Sequence, residues 1–314
     1  MKKIYIHIGL HKTGSTFLQN KVFPKLKETT YIGRPYTQQS IAFNKLQYAD
    51  SSLYSEEETI MEIKNFEKHE KILISDEMLS GLPFNNYINR TIIADRLSKI
   101  FPDATILLFL RSQKDLLLSL YNSYIKNNSG FLPINQFIWY PSKAYSYQDY
   151  AKSSLGWDFN TRYFNHMTHS VNPACFLYKE LIDYYKIRFK SLNIFLYEDL
   201  ANNPKSILDQ IESLLKDKIE GKEEIDTRQK VNSSLISNSL LQKREENKAK
   251  LVTKNKNLIR LITFIQLMNK NKSYKNELDY VSSLVNDFYQ ENNQLVLQEY
   301  PFIGIDKYPE KYPT

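Results

Sequence analysis

The 314-residue chain predicts an α/β fold with a central, mainly parallel sheet flanked by helices, and three observations carry that prediction. Residues 3–8 form a β-branched and aromatic run that leads into a glycine-bounded loop and then a helix-periodic segment. Ala104 to Leu110 is an unbroken apolar run, the pattern of a strand covered on both faces. Strand-like and helix-like segments then alternate, which is the signature of a parallel sheet with its ligands beyond the carboxyl ends of the strands.

In chain order, Lys3 to Ile8 reads as the first strand, because its apolar run is interrupted and passes straight into Gly9 rather than forming a signal-peptide core. Thr16 to Leu26 places Phe17, Leu18, Val22 and Leu26 near helical spacing. Tyr31 to Ser55 shows no clear period. Glu56 to Lys68 reads as a charged helix, followed by a second strand, Lys71 to Ser75, that stops at Asp76-Glu77. Arg90 to Phe101 turns Ile92, Ile93, Leu97 and Ile100 inward and ends near Pro102. After the buried strand comes Arg111, a helix from about Gln113 to Lys126, a helix from Phe176 to Lys190, and a strand from Asn193 to Tyr197.

The segments 128–175 and 219–292 stand apart from this alternation within what reads as a single domain spanning 1–314. From Gln242 to Lys275 the sequence predicts two helices around a polar turn, with Leu258, Ile259, Leu261, Ile262, Ile265 and Leu267 supplying apolar faces. A packed helical hairpin is the favoured reading, with peripheral membrane association as the alternative. The stretch from Leu258 to Met268 is too short to cross a bilayer.

Composition sets limits on function. Hydrophobic residues make up 42% and charged residues 25%, which suits a soluble globular chain and not a disordered one. The net charge of +7 favours an anionic ligand, although lysine is spread along the chain and the excess is no single block. Neither zinc-ligand spacing nor an aromatic RNA-binding signature is present, so no nucleic-acid partner is expected. Cys175 is the sole cysteine, which excludes an internal disulfide and suits the cytoplasm.

Gly9-Leu10-His11-Lys12-Thr13-Gly14-Ser15-Thr16 fits the phosphate-binding pattern G-x-x-x-x-G-K-[ST] at both glycines and at Thr16, which makes the expected fold a three-layer P-loop type with helical insertions. Ser15 stands where the pattern has lysine, and Lys12 lies inside the loop instead. Backbone amides and the following helix start still form an anion cradle. The terminal anionic group would then meet Lys12 and the hydroxyls of Thr13, Ser15 and Thr16. No strand-terminal aspartate of the metal-binding kind accompanies the loop, Asp76 being only a weak candidate, so no metal is expected.

Here the sequence resembles the sulfotransferase superfamily. His7-Ile8-Gly9-Leu10-His11-Lys12-Thr13-Gly14-Ser15-Thr16-Phe17-Leu18-Gln19 is similar to its 5'-phosphosulfate loop, and Leu108 to Tyr121 is similar to its 3'-phosphate element. The resemblance implies that Arg111 and Ser119 contact the 3'-phosphate, that Tyr197 approaches the adenine, and that Asn232 and Ser233 lie in a late nucleotide-contacting loop. Asn193 to Leu200 and the helix through Ile207, Leu208, Ile211 and Leu214 resemble the strand and helix that follow. The family's basic Arg-Lys-Gly version of the late loop is absent. What this implies is a bacterial-type, carbohydrate-directed enzyme that takes 3'-phosphoadenosine 5'-phosphosulfate (PAPS) and releases 3'-phosphoadenosine 5'-phosphate (PAP).

An acceptor hydroxyl needs a base. Glu77, just past the strand Lys71 to Ser75, is the first candidate, with Asp76 and His11 as substitutes; Lys12 stabilises the leaving oxygen. The family's small-molecule branch has a histidine after its second strand, whereas acidic residues stand here, which tilts the acceptor toward a sugar or peptide hydroxyl. The Asn, Lys, Ile and Tyr bias points to a microbial source and so to a glycan or glycolipid as the expected class. Segments 128–175 and 219–292 are then expected to shape the acceptor site or a lid, with Trp139, Tyr140, Tyr145 and Tyr147 available to stack on sugar rings. The alternatives are a P-loop kinase of a small alcohol and a noncatalytic nucleotide- or glycan-binding relative.

Overall fold

Strand β1 (Lys3–Gly9) is the centre of a five-stranded sheet in the computed structural model, which describes residues 2–66, 69–127, 130–138, 170–225, 238–268 and 273–314. The other strands are β2 (Thr29–Ile32), β3 (Lys71–Ser75), β4 (Thr105–Leu110) and β5 (Ser191–Leu196), ordered β2-β3-β1-β4-β5 and all parallel. The apolar runs explain the arrangement. From Tyr5 to Gly9, from Ile72 to Ser75 and from Ile106 to Leu110 every residue is buried, so both faces must be covered by other elements.

On one face, Tyr5, Leu73, Leu107, Phe109 and Phe195 pack with Leu18, Val22 and Phe23 after the glycine loop. The same cluster takes in Ile207, Leu208, Ile211 and Leu215 of helix Pro204–Leu215. Asn203 caps that helix by accepting from the Ser206 amide, and Pro204 opens it. Helix Arg90–Ile100 buries Ile93, Ala94 and Leu97.

The chain moves from β1 outward to β2 and returns through β3, then crosses to β4 and β5 on the other side of β1. The direction of winding therefore reverses between β1 and β4. Beyond the carboxyl ends of the strands at such a reversal, an open α/β sheet offers a crevice that no connection fills.

The chain divides into two compact units. The sheet lies wholly in the first, made of Met1–Leu82, Tyr87–Arg111 and Glu180–Val231; the second comprises Pro83–Asn86, Ser112–Lys179 and Asn232–Thr314. In the second unit, helices Gln113–Asn127, Asn238–Lys250 and Ser273–Glu299 meet around Arg244. Its guanidinium lies 2.9 Å from Glu277 and donates to the Tyr121 hydroxyl at 2.8 Å, while Glu277 also accepts from the Ile134 amide. A buried cation held by a carboxylate and a hydroxyl fixes the register of those helices.

Several elements depart from the sequence expectation. Residues 31–55, without period, contain the end of β2 and two short helices, Tyr36–Gln39 and Ile41–Tyr48; β2 is an edge strand of four residues, too short to show alternation. Lys71–Ser75 is thus the third strand in chain order, not the second. The helix expected over 16–26 is one α turn (Ser15–Phe17), a wider π turn (Leu18–Val22) and a 3-10 turn (Phe23–Lys25), since Pro24 has no amide to continue the ladder. The strand expected at 193–197 runs from Ser191 to Leu196, and Tyr197 opens a helix, Tyr197–Asn202. The helix expected over 176–190 is a 3-10 turn, Pro173–Phe176, followed by Tyr178–Lys186.

Phe109 is wholly buried on β4, stacked on Phe195 at 4.8 Å and edge-on to His7 at 5.4 Å. Phe109→Ala is expected to lower the unfolding free energy by about 3–5 kcal/mol in urea titration; a loss below about 1 kcal/mol would contradict the packing described.

Candidate active site at the carboxyl edge of the sheet

The ends of β1, β3, β4 and β5 carry residues that the sequence singled out. After β1 the chain turns at Gly9 (φ +91°), and a Cβ there would lie 3.0 Å from Glu77 Cβ. Glycine is required both for the left-handed backbone and for this close approach. The loop closes at Gly14 (φ +86°), where a Cβ would meet Leu200 at 2.8 Å and the Tyr197 ring at 3.5 Å. The two glycines thus seat the loop between the ends of β3 and β5.

Inside the loop, the Thr13 and Ser15 hydroxyls both donate to the Leu10 carbonyl, at 2.5 and 3.2 Å. They brace the turn and hold its backbone shape. The first helical bonds run from the Phe17 and Leu18 amides to the Gly14 carbonyl, so the amides of Gly14, Ser15 and Thr16 precede the ladder. In this conformation those amides, Lys12 and the exposed Thr16 are among the groups that an anion could meet.

Arg111, at the end of β4, is buried and donates from Nη1 to the Lys12 carbonyl at 2.8 Å. Its guanidinium stacks over the Tyr197 ring, 4.4 Å from the centroid. Three residues predicted separately from the sequence, Lys12, Arg111 and Tyr197, therefore occupy one neighbourhood. Burial lowers the Lys12 pKa, Arg111 adds to that lowering, and the negative charge of Glu77 opposes it.

At the end of β3, Asp76 and Glu77 have different tasks. Asp76 is fully buried and caps the 3-10 turn Glu77–Ser80 by accepting from the Met78 amide. It also accepts from Arg34 at 2.8 and 3.1 Å and from Thr37 Oγ1 at 2.7 Å. Asp76 is thereby fixed as a structural anion. Glu77 meets Arg34 Nη1 at 2.8 Å through Oε1 and accepts from Gln19 Nε2 at 2.9 Å through Oε2. Each carboxylate oxygen has a second lone pair, so both partners together leave acceptor capacity.

His11 is turned away from this role. Its Nε2 lies 3.4 Å from Met78 Sδ, its Nδ1 lies 3.5 Å from the Ser80 and Tyr87 hydroxyls, and burial with nearby Arg34, Lys12 and Arg90 pushes its pKa down to about 3. An imidazole so weakly basic is a poor proton acceptor at neutral pH.

Sequence reasoning missed Arg34, Thr37 and Gln19 as contributors. Arg34, like Arg111, stands just past a strand, but Thr29–Ile32 is too short to be read as one from the sequence. Gln19 stood at the end of the quoted loop motif without an assigned role. It also donates to Ser75 Oγ at 3.3 Å, and Ser75 Oγ lies 2.7 Å from His7 Nδ1, so a buried polar chain links β1 to Glu77. Ser119 is half-buried on helix Gln113–Asn127 in the second unit, whereas Arg111 closes a segment of the first. Asn232, Ser233, Trp139, Tyr140, Tyr145 and Tyr147 lie outside the described residues.

No family model and no curated protein matches the chain. Among solved structures it is similar to a sulfotransferase from Alicyclobacillus acidocaldarius, at 13% identity over 83% of this chain and 99% of that one, with a TM-score of 0.48. It is also similar to mouse sulfotransferase SULT7A1 complexed with PAP, at 13% identity over 98% of this chain and 89% of that one, with a TM-score of 0.41. Likeness at this level carries no function across, and the functional reading rests on the residues assembled above.

The buried imidazoles give the site a pH signature. Burial pushes His7, like His11, down to about 3 from 6.5. Between those values the unfolded chain binds more protons than the folded one, so stability falls as pH drops. Urea titrations are expected to show a loss of about 1.4 kcal/mol per pH unit for each imidazole between about pH 6 and pH 4. A flat profile there contradicts the burial of two neutral histidines.

Proposed function

We propose that the chain is a PAPS-dependent sulfotransferase acting on a hydroxyl acceptor. The observation that carries this reading is the meeting of Lys12, Arg111 and Glu77 around a glycine loop whose lysine is displaced from the nucleoside-triphosphatase position. The residues suit such a donor: loop amides and Lys12 for the sulfate-bearing 5' end, the Arg111 guanidinium for a second phosphate, and the Tyr197 ring for a base. Ser119, Asn232 and Ser233 are proposed to complete the nucleotide contacts.

The bound donor supplies a sulfur atom whose bond to the bridging oxygen breaks as the acceptor oxygen attacks in line. Lys12 then neutralises charge where the bond is breaking, and the loop amides hold the phosphate in a fixed orientation. Glu77 takes the acceptor proton, with Arg34 and Gln19 holding its carboxylate in one orientation. Asp76, committed to Arg34, Thr37 and the Met78 amide, is not the base. A carboxylate at this strand end suits a hydroxyl acceptor, and a glycan or glycolipid is the class proposed for it.

Calorimetric titration with PAP tests the donor site. Lys12→Ala and Arg111→Ala are each expected to weaken binding by about tenfold or more, since each removes a charge-assisted contact; unchanged affinity in both overturns the assignment. Glu77→Gln tests the base separately. PAP affinity should stay near wild type while turnover of labelled donor on glycan and glycolipid acceptors falls about 10²- to 10⁴-fold. Undiminished turnover removes Glu77 from the mechanism, and donor-independent ATP hydrolysis would favour a kinase instead.

A further inference from the structure

The hairpin expected between Gln242 and Lys275 is present as helices Asn238–Lys250 and Lys256–Met268, but the second helix is turned inside out relative to a packed surface helix. Its buried side consists of Ile259 and Thr263. Leu258, Leu261, Ile265 and Met268 recur at i, i+3, i+7 and i+10 and, with Phe264, form a single stripe that is 47 to 68% exposed. Val252, in the turn between the helices, is 73% exposed. Apolar stripes of this continuity are unusual on a surface that meets only water.

Charge identifies what the stripe fits. From Asn247 to Asn276 the sequence has eight lysines and arginines and no aspartate or glutamate. Outside that segment 34 Lys and Arg face 35 Asp and Glu, so although lysine itself is spread along the chain, the net basic excess does reside in one block, which corrects the expectation drawn from composition. Lys250, Lys254, Lys256 and Arg260 are exposed beside the stripe. A second copy of this chain would bring two basic segments together, and nucleic acid would leave the apolar stripe uncovered. No helix among the described residues is long and apolar enough to cross a membrane.

We propose that helix Lys256–Met268 and its preceding turn dock in the plane of an anionic lipid bilayer, burying the Leu258–Met268 stripe among acyl chains while Lys250, Lys254, Lys256 and Arg260 meet the headgroups. The proposal is independent of the donor assignment. It would hold the chain at the surface where lipid-borne acceptors reside.

Co-sedimentation of the full chain with vesicles tests it, using phosphatidylcholine alone and an equimolar mixture of phosphatidylcholine and phosphatidylglycerol. Partitioning onto the anionic vesicles is expected to be about tenfold or more stronger and to fall with added salt. The double variant Leu261→Glu/Ile265→Glu should lose about tenfold or more of that binding, as should Lys254→Glu/Arg260→Glu, with melting temperature and PAP affinity unchanged. Absent or equal binding to the two vesicle types overturns the proposal, as does undiminished binding by Leu261→Glu/Ile265→Glu. So does a wild-type dimer in sedimentation equilibrium that dissociates in that variant without any vesicle binding. PAP titration of the same proteins reports on the nucleotide site separately, so either reading can fail alone.

Discussion

A carboxylate buried beyond the reach of water must have a cation, and the demand of Asp76 for Arg34 organises the acidic end of the sheet. One guanidinium reaches both Asp76 and Glu77, while Thr37 and the Met78 amide take the remaining acceptor positions of Asp76. Because Arg34 follows β2 and Asp76 follows β3, this contact joins the two strand ends. Division of labour between neighbouring carboxylates follows directly. Asp76 is immobilised by four donors, and Glu77, tethered by one oxygen to Arg34 and by the other to Gln19, is presented beside the glycine loop.

The loop obeys a second constraint, that of space. Neither Gly9 nor Gly14 has room for a Cβ without displacing a neighbour, and both adopt backbone angles that L side chains rarely take. Closeness to Glu77 at one end and to Tyr197 and Leu200 at the other is what assembles residues nearly 200 positions apart in the chain. The Thr13 and Ser15 hydroxyls then serve the loop itself by bonding the Leu10 carbonyl, and Arg111 bonds the Lys12 carbonyl from the end of β4. On the proposed reading an anion would meet groups whose positions are already fixed, which reduces the reorganisation needed when a ligand arrives.

Polar side chains also organise the second unit, with Arg244 at its centre. Its helical hairpin follows a different logic, since helix Lys256–Met268 buries little and exposes its apolar stripe. Amphipathic periodicity shows that a helix has two faces. It does not show which face the rest of the molecule covers, and here the covered face is the small one.

The amino-acid sequence by itself determined the α/β class, the core strands and the glycine loop, because buried parallel strands and close-packed phosphate loops require residue types that few other environments demand. That Lys12, Arg111 and Glu77 would stand near one another was legible because each lies at a strand end or within the loop, whereas Tyr197 came from the resemblance; the roles given to all four are proposed ones. Tertiary structure alone decided that Asp76 is braced and Glu77 presented, that Thr13 and Ser15 bond the loop, and that Arg34 and Gln19 belong to the site. Those assignments depend on distances between segments dozens of residues apart, and no local pattern encodes which partner a side chain meets once strand order has been set.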